Sequence, residues 1–297
     1  MLALVGPTAS GKSALAHRVA LEAGDVELVT VDSMQVYRGM DIGTATPTLA
    51  ERAEVRHHLL DVADPAEDFS LARFLPAARA ALADIASRGR RALLVGGTGL
   101  YVQALVDDLE VPGLYPDSRA EVEADHDTVA LHARLVALDP VAAGRMEPTN
   151  RRRILRALEV TLGSGRPFSS FGPGLEAYPP STVHQVGLRL PGDVLDRRIE
   201  ARVEAMVAAG LVAEVTALAA RPGGLARTAR QALGYRELLA HLEGTCSLDE
   251  AVALTVTRTR QLARRQIRWF RRDPRIRWVD TTGNPLPTSA SVLGDSP

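Results

Sequence analysis

GPTASGKS, residues 6–13, decides how this chain is read. It fits the pattern Gly-x-x-x-x-Gly-Lys-Ser/Thr, running from Gly6 through Gly11 and Lys12 to Ser13. The apolar run Leu2 to Val5 precedes it, and the helical pattern of Ala14, Leu15, Val19 and Ala20 follows. In that strand, loop and helix context the loop from Gly6 through Pro7, Thr8, Ala9 and Ser10 to Ser13 can cradle a diphosphate with its backbone N–H groups, of which Pro7 supplies none. Lys12 would neutralise it, and the Ser13 hydroxyl can ligate Mg²⁺. The alternative is a glycine-rich turn with a chance lysine. Against it stands the fact that Lys12 is the only lysine in a chain with 35 basic residues. An arginine fork is wide and planar, whereas an ammonium is a point charge that fits a tight loop of amides.

The 297 residues, 46% of them hydrophobic, supply a core for one large domain or two. One cysteine, Cys246, excludes an internal disulfide and any cysteine metal cluster, so a reducing cytoplasmic home is the default. No apolar stretch reaches membrane-spanning length. The net charge of −1 argues for no partner, but the charges are unevenly placed. Residues 1–110 hold 10 basic against 15 acidic side chains and 111–297 hold 25 against 21, so the halves carry −5 and +4. Arg151, Arg152, Arg153 and Arg156 form one concentration, and a run from Arg258 to Arg277 forms another. Such local excess suits a polyanion, with a solvated helix face as the alternative.

Short apolar runs at Leu2–Val5, Leu28–Val31 and Ala92–Val95, and a weaker one at His58–Val62, alternate with helical patterns such as Ser70–Arg88. That alternation predicts an α/β fold, a P-loop NTPase-like parallel sheet flanked by helices. From residue 112 to 183 the periodicity is helical, with candidates at Val129–Leu138, Val141–Met146 and Arg151–Leu162, and ends in a long turn-rich loop. This segment is predicted to be a helical insertion domain in a core built from 1–111 and 184–297. The core resumes with a strand at 184–190, long helices at 193–220 and 247–272, and a last strand at Ile276–Val279. The tail from Thr281 is expected to be disordered.

Asp32 ends the second strand in VDSMQVYRGMDIGTATP and is expected to face the crevice beside the phosphate loop on the neighbouring strand. It could be a general base, a metal-associated carboxylate, or the cap of the next turn. Asp41 is a further carboxylate nearby in sequence. The strand after it ends in Gly96, Gly97 and Thr98, where an NTPase of this fold would carry an acid for Mg²⁺. Thr98 could serve a leaving-group oxygen or a substrate amine, or cap a helix.

GPTASGKS, DSMQVYRGMDIGTA, HHLLDV, GGTGLY, RRRILRALEV, GLVAEV, ALGYRE and RRQIRWF occur in an order and spacing that resemble the tRNA dimethylallyltransferases, also called tRNA isopentenyltransferases. The resemblance runs from residue 3 to about 279. It implies transfer of a dimethylallyl group from dimethylallyl diphosphate to the exocyclic amine of the adenosine just 3′ of the tRNA anticodon, with Mg²⁺ on the diphosphate. By that resemblance Asp32 is the general base and Thr98 sits beside the amine and the bridging oxygen. The loop Gly6 to Ser13 holds the diphosphate, and Arg202 and Arg230 contact diphosphate or RNA. The tRNA contacts implied are Asp32, Ser33, Met34, Gln35, Thr98, Arg119, Arg151, Arg152, Arg153, Gln231, Gly234, Tyr235 and Arg236.

The family often has lysine where Thr46 stands, and its usual PND is PTN at Pro148–Asn150. No Cys and His set follows the core, which implies a bacterial-type enzyme without a zinc finger. A monomer is the default. Two rivals remain at this level. A small-molecule P-loop kinase accounts for residues 1–100 but not for the insertion and the arginines. A non-catalytic RNA-binding protein leaves Lys12, Ser13, Asp32 and Thr98 without a purpose.

Overall fold

The structure, a computed structural model, describes residues 1–282. Strands β1 (Leu2–Val5), β2 (Val26–Val31), β3 (His57–His58), β4 (Arg91–Gly96), β5 (His184–Arg189) and β6 (Ile276–Asp280) form one sheet in the order β3-β2-β4-β1-β5-β6. Every pairing is parallel. The first helices are α1 (Lys12–Ala23), α2 (Leu49–Glu54), α3 (Leu71–Ser87) and α4 (Gly99–Val106). They are followed by α5 (Pro116–Ala124), α6 (Thr128–Leu138), α7 (Pro140–Gly144) and α8 (Arg151–Ser164). The last five are α9 (Gly192–Ala208), α10 (Leu211–Ala219), α11 (Arg227–Arg230), α12 (Tyr235–Leu242) and α13 (Leu248–Phe270).

The central strands β1, β2 and β4 are short and mostly apolar, as expected where helices cover both faces of a parallel sheet, while the edge strands β3 and β6 carry His57, His58, Arg277 and Asp280. Leu4, Leu28, Leu93, Val95 and Leu188 from the strands pack with Leu15, Ala16 and Val19 of α1 in one core cluster. Helix α1 opens on Gly11 and closes on Gly24, both in the left-handed region that glycine enters without penalty. On the other flank Leu195, Ile199 and Val203 of α9 meet Val256 and Ala263 of α13.

Several sequence expectations change. Strand β4 lies between β1 and β2, so Asp32 and the phosphate loop do not end neighbouring strands. The strand expected at His58–Val62 stops at His58, because Leu59 and Asp61 have positive φ and leave the extended region. The helix expected over 193–220 is two helices, broken at Gly210 with φ +102°. Thr281 is buried and ordered by two bonds, its N–H and hydroxyl both donating to the Arg189 carbonyl at 3.1 Å. The rest of the tail expected to be disordered, from residue 283, lies outside the described residues.

The chain divides into two compact units, residues 1–106 with the chain from 180 onward, and 107–179, a few residues from the limits 111 and 184 read from the sequence. The second unit is helical and has its own core, in which Val122, Leu131 and Leu135 pack against Ile154, Leu155 and Leu158 of α8. Asn150 caps α8 by accepting the Arg153 N–H at 3.3 Å, and Gly165 ends it at φ +69°. Among the described residues no helix is long and apolar enough to cross a membrane.

The tightest backbone approach in the sheet is at Gly96, where a Cβ would stand 2.0 Å from the Val31 carbonyl oxygen. Gly96→Ala should destabilise the fold by about 3 kcal/mol, the upper end of overpacking costs, since backbone and not a side-chain tip must yield. The urea midpoint measures this, and an unchanged midpoint would contradict the close approach.

Candidate active site

The loop from Gly6 to Ser13 turns sharply between β1 and α1. Gly6, Ala9 and Gly11 all have positive φ, at 154°, 60° and 88°. Gly6 is packed against β5, with the Leu188 carbonyl 3.1 Å from where a Cβ would be. Pro7 supports the loop from behind, its carbonyl accepting the Ser10 N–H and the Lys12 ammonium, each at 3.3 Å. Ser10 is fully buried, and its hydroxyl has no partner among the described residues. Thr8, Ala9, Gly11, Lys12 and Ser13 border a cleft of about 840 Å³ at the carboxyl ends of the strands. The position follows the rule for open α/β sheets.

Lys12 is half-buried there, and desolvation lowers its pKa to about 8, with the Asp32 carboxylate acting to raise it and the Arg202 guanidinium to lower it. Lys12, Asp32 and Arg202 thus share one electrostatic site although their strands and helices are far apart in sequence. Burial likewise lowers the Arg202 pKa, and Asp32 opposes that shift. Such a cation pair facing one carboxylate is poised for a polyanion.

Asp32 follows β2 and lines the cleft. Its Oδ1 accepts the N–H groups of Met34 at 2.8 Å and Gln35 at 3.4 Å, so the turn-capping role is real. It is compatible with chemistry, because these bonds engage Oδ1 and leave Oδ2 for a substrate. Thr98 does not cap its helix through the hydroxyl. Its Oγ1 accepts the Ser33 N–H at 3.2 Å and donates to Ser33 Oγ at 3.4 Å, tying the end of β4 to the residue after Asp32. Thr98 borders Ser33 rather than the open cleft. Asp41 is exposed beside Arg52 at 3.8 Å and does not line the cleft.

Ser33, Met34 and Gln35 line the cleft, and the Gln35 amide is fixed by donating to the carbonyls of Thr44 at 3.0 Å and Ala45 at 3.1 Å. The loop bearing those carbonyls is itself held by Glu214 of α10. That carboxylate accepts three consecutive amides, of Asp41 at 3.0 Å, Ile42 at 2.8 Å and Gly43 at 3.3 Å. It also accepts the Tyr235 hydroxyl at 2.6 Å. Tyr235 is therefore a correction to the sequence expectation. Its side chain is fully buried, its pKa raised by desolvation and Glu214, and its ring leaves no room for a Cβ on Gly43. It supports the wall from behind and offers RNA no surface.

Gln231, Gly234 and Arg236 do line the cleft, joined by Arg258 and Arg265 of α13. Arg236 and Arg258 both donate to the buried carboxylate of Glu237. Arg230 is exposed and paired with Glu243 at 2.8 Å, and it is absent from the cleft. Outlying arginines of the C-terminal run are paired too, Arg260 with Glu200 at 3.0 Å and Arg275 with Asp273 at 2.7 Å. Glu214 and Gln266 carry no role in the sequence reading. Both stand inside stretches that carried the resemblance, GLVAEV and RRQIRWF, which is the only signal that marked them.

In the helical unit the arginines are unequal. Arg119 sits between Glu123 at 2.8 Å and Glu159 at 3.7 Å. Arg151 donates to the backbone carbonyl of Asp125 at 2.6 Å, and Arg156 to Glu159 at 2.6 Å and the Pro112 carbonyl at 2.8 Å. Arg152 and Arg153 are exposed with no acidic partner among the described residues.

A glycine-rich phosphate loop after β1, a carboxylate after β2 and glycines in place of an acid after β4 define a P-loop α/β protein of the phosphate-binding class. The family model described as IPP transferase matches residues 35–273, and the chain belongs to that family. It is 52% identical over 303 residues to the tRNA dimethylallyltransferase of Kineococcus radiotolerans, covering 99% of this chain and 95% of the relative. It is 50% identical over 296 residues to that of Pseudarthrobacter chlorophenolicus, covering 99% and 97%. Among solved structures it is similar to a tRNA isopentenylpyrophosphate transferase from Bacillus halodurans, at 40% identity and a TM-score of 0.67 over 94% of this chain and 89% of that one. A eukaryotic dimethylallyltransferase acting on tRNA gives 26% identity and a TM-score of 0.77 over 94% of this chain and 73% of that one.

With its pKa near 8, Lys12 is charged at pH 7 and mostly neutral at pH 9. Its contribution to anion binding is present below pH 8 and fades above it, whereas an arginine stays charged throughout. The ratio of wild-type to Lys12→Arg affinity for pyrophosphate, followed by calorimetry, should fall by up to about tenfold per pH unit above 8. A ratio independent of pH would overturn this reading of the lone lysine.

Proposed function

We propose that this protein transfers the dimethylallyl group of dimethylallyl diphosphate to the exocyclic N6 amine of the adenosine 3′-adjacent to the tRNA anticodon, releasing diphosphate. The observation that carries the reading is a phosphate loop with a single ammonium opening on the same cleft as Asp32, while β4 ends in glycines rather than a metal-binding acid. The high-identity relatives bear the corresponding name over nearly their full length.

The chemistry follows from the side chains. The loop amides, Lys12 and Arg202 hold the diphosphate and offset the charge that grows on it as the C1–O bond breaks. The adenine amine forms the new N–C1 bond, and Asp32 Oδ2 accepts the proton that leaves it. Bonds from Met34 and Gln35 to Oδ1 keep the carboxylate turned toward that amine. An aromatic amine is a weak nucleophile, so a fixed acceptor for its proton matters. The Thr98 hydroxyl, tied to Ser33, steadies the turn that follows Asp32. Reaching this cleft requires the target base to leave its stack in the anticodon loop, as for other enzymes that act on a base.

Ser13 is exposed and its hydroxyl borders the cleft, which suits Mg²⁺. A small hard cation keeps several waters and is held largely by substrate phosphates, so Ser13 and the diphosphate would share it. When bound it would supply charge neutralisation on the leaving group. The free thiol Cys246 fits a reducing cytoplasmic setting. For RNA phosphates, Arg152 and Arg153 on α8 are the candidates, since Arg119 and Arg151 are already engaged within their own unit.

Purified protein with Mg²⁺, labelled dimethylallyl diphosphate and unmodified tRNA should place label in the RNA, and Asp32→Ala should slow this by ~10²–10⁴-fold. ATP turnover with small metabolites and no label in any tRNA would favour a kinase instead. Neutralising Arg152 and Arg153 should weaken tRNA binding and reduce the slope of log affinity against log salt by about one unit for each phosphate no longer neutralised. An unaltered slope would place the RNA grip on other residues.

A further inference from the structure

The side-chain amide of Gln266, on α13, spans the two loops that carry the reacting groups. Its Oε1 accepts the Thr8 N–H of the phosphate loop at 2.8 Å, and its Nε2 donates to the Gly97 carbonyl at 3.0 Å. A backbone N–H only donates and a carbonyl only accepts, so the amide has one orientation that satisfies both. Gly97 makes room for it, since a Cβ there would stand 2.5 Å from Gln266 Nε2 and 3.3 Å from the Gly6 carbonyl. One helical turn on, Trp269 lies against Gly99, where a Cβ would be 2.2 Å from the indole. Helix α13 therefore grips the loop on each side of Thr98 and the phosphate loop once. The helix is itself fixed to α9 through Val256 and Ala263.

We propose that Gln266 is a positioning residue for the transfer: it sets the distance between the diphosphate cradle and the Thr98 hydroxyl. Although it borders the cleft, both ends of its amide are spent on backbone, so it acts through the two loops it joins. Displacement of a leaving group by an amine needs both held in line, and a misplacement near 1 Å costs about 10²-fold in rate. The sheet alone does not set this distance. β1 and β4 are paired up to Val5 and Gly96, but beyond those residues the two loops leave the ladder. The Gln266 amide is a direct side-chain bridge between them. The proposal rests on the transferase reading above.

The test is a double-mutant cycle on single-turnover transfer, using Gln266→Met, which keeps length but not the bonds, in wild-type and Thr98→Val backgrounds. Gln266→Met should lower the rate by about 10²-fold, leave the KM for tRNA unchanged, and cost much less once Thr98 is already valine. Equal fold-losses in the two backgrounds, or a loss confined to KM, would overturn the proposal. Should Gln266→Met fail to fold, Gln266→Glu retains the acceptor for Thr8 and replaces the donor to Gly97, and the same comparison applies. A wild type that binds pyrophosphate yet labels no tRNA overturns the transferase reading and this proposal with it. An active wild type with equal losses overturns the proposal alone.

Discussion

The carbonyl oxygen of Val31 passes so close to Gly96 that no side chain fits at the carboxyl end of β4. Everything in the site depends on this approach. β4 is the strand between the one that ends in Asp32 and the one that ends in the phosphate loop. A side chain there would part β2 from β4, and Ser33 would lose Thr98. With glycine in place, three loops converge on one cleft, and a carboxylate two strands away still acts on the Lys12 ammonium.

Around this centre the charged groups sort themselves by burial. Glu237, buried beneath the cleft wall, takes up Arg236 and Arg258, and Asp196 and Glu200 take up Arg260. Much of what reads in the sequence as a continuous basic run is neutralised inside the molecule. Arg202 differs, because burial destabilises its charge and no carboxylate among the described residues pairs with it at bonding distance. A half-buried cation left in that condition gains from an incoming polyanion more than a fully solvated one does.

The phosphate loop, the strands that flank it and the acid after β2 were legible because each rests on a local pattern. Gly6, Gly11 and Lys12 have fixed spacing, and a buried parallel strand is an apolar run. The order of strands was not legible, because any buried strand satisfies the same pattern beside any other. Nor was the burial of Tyr235, whose neighbours in sequence, Gly234 and Arg236, do reach the cleft. The arginines of 151–153 look alike in sequence, but only the fold shows that Arg151 bonds to backbone at the end of α5 while the next two face solvent. Glu214 and Gln266 were invisible as functional residues because each works on backbone atoms distant in sequence, which leaves no mark in local composition.

The arrangement of β1 also bears on how the chain folds. Leu2 stands in register with Leu93 on one side and His184 on the other, so the first strand made is completed by one of the last. Between them lies a helical unit whose pairings are local and whose core needs nothing beyond residue 179. Low contact order favours rapid formation of that unit, and the high contact order of the sheet delays it. On the ribosome, the insertion has the means to form while β1 still waits for β5, and the phosphate cradle is among the last features of the molecule to take shape.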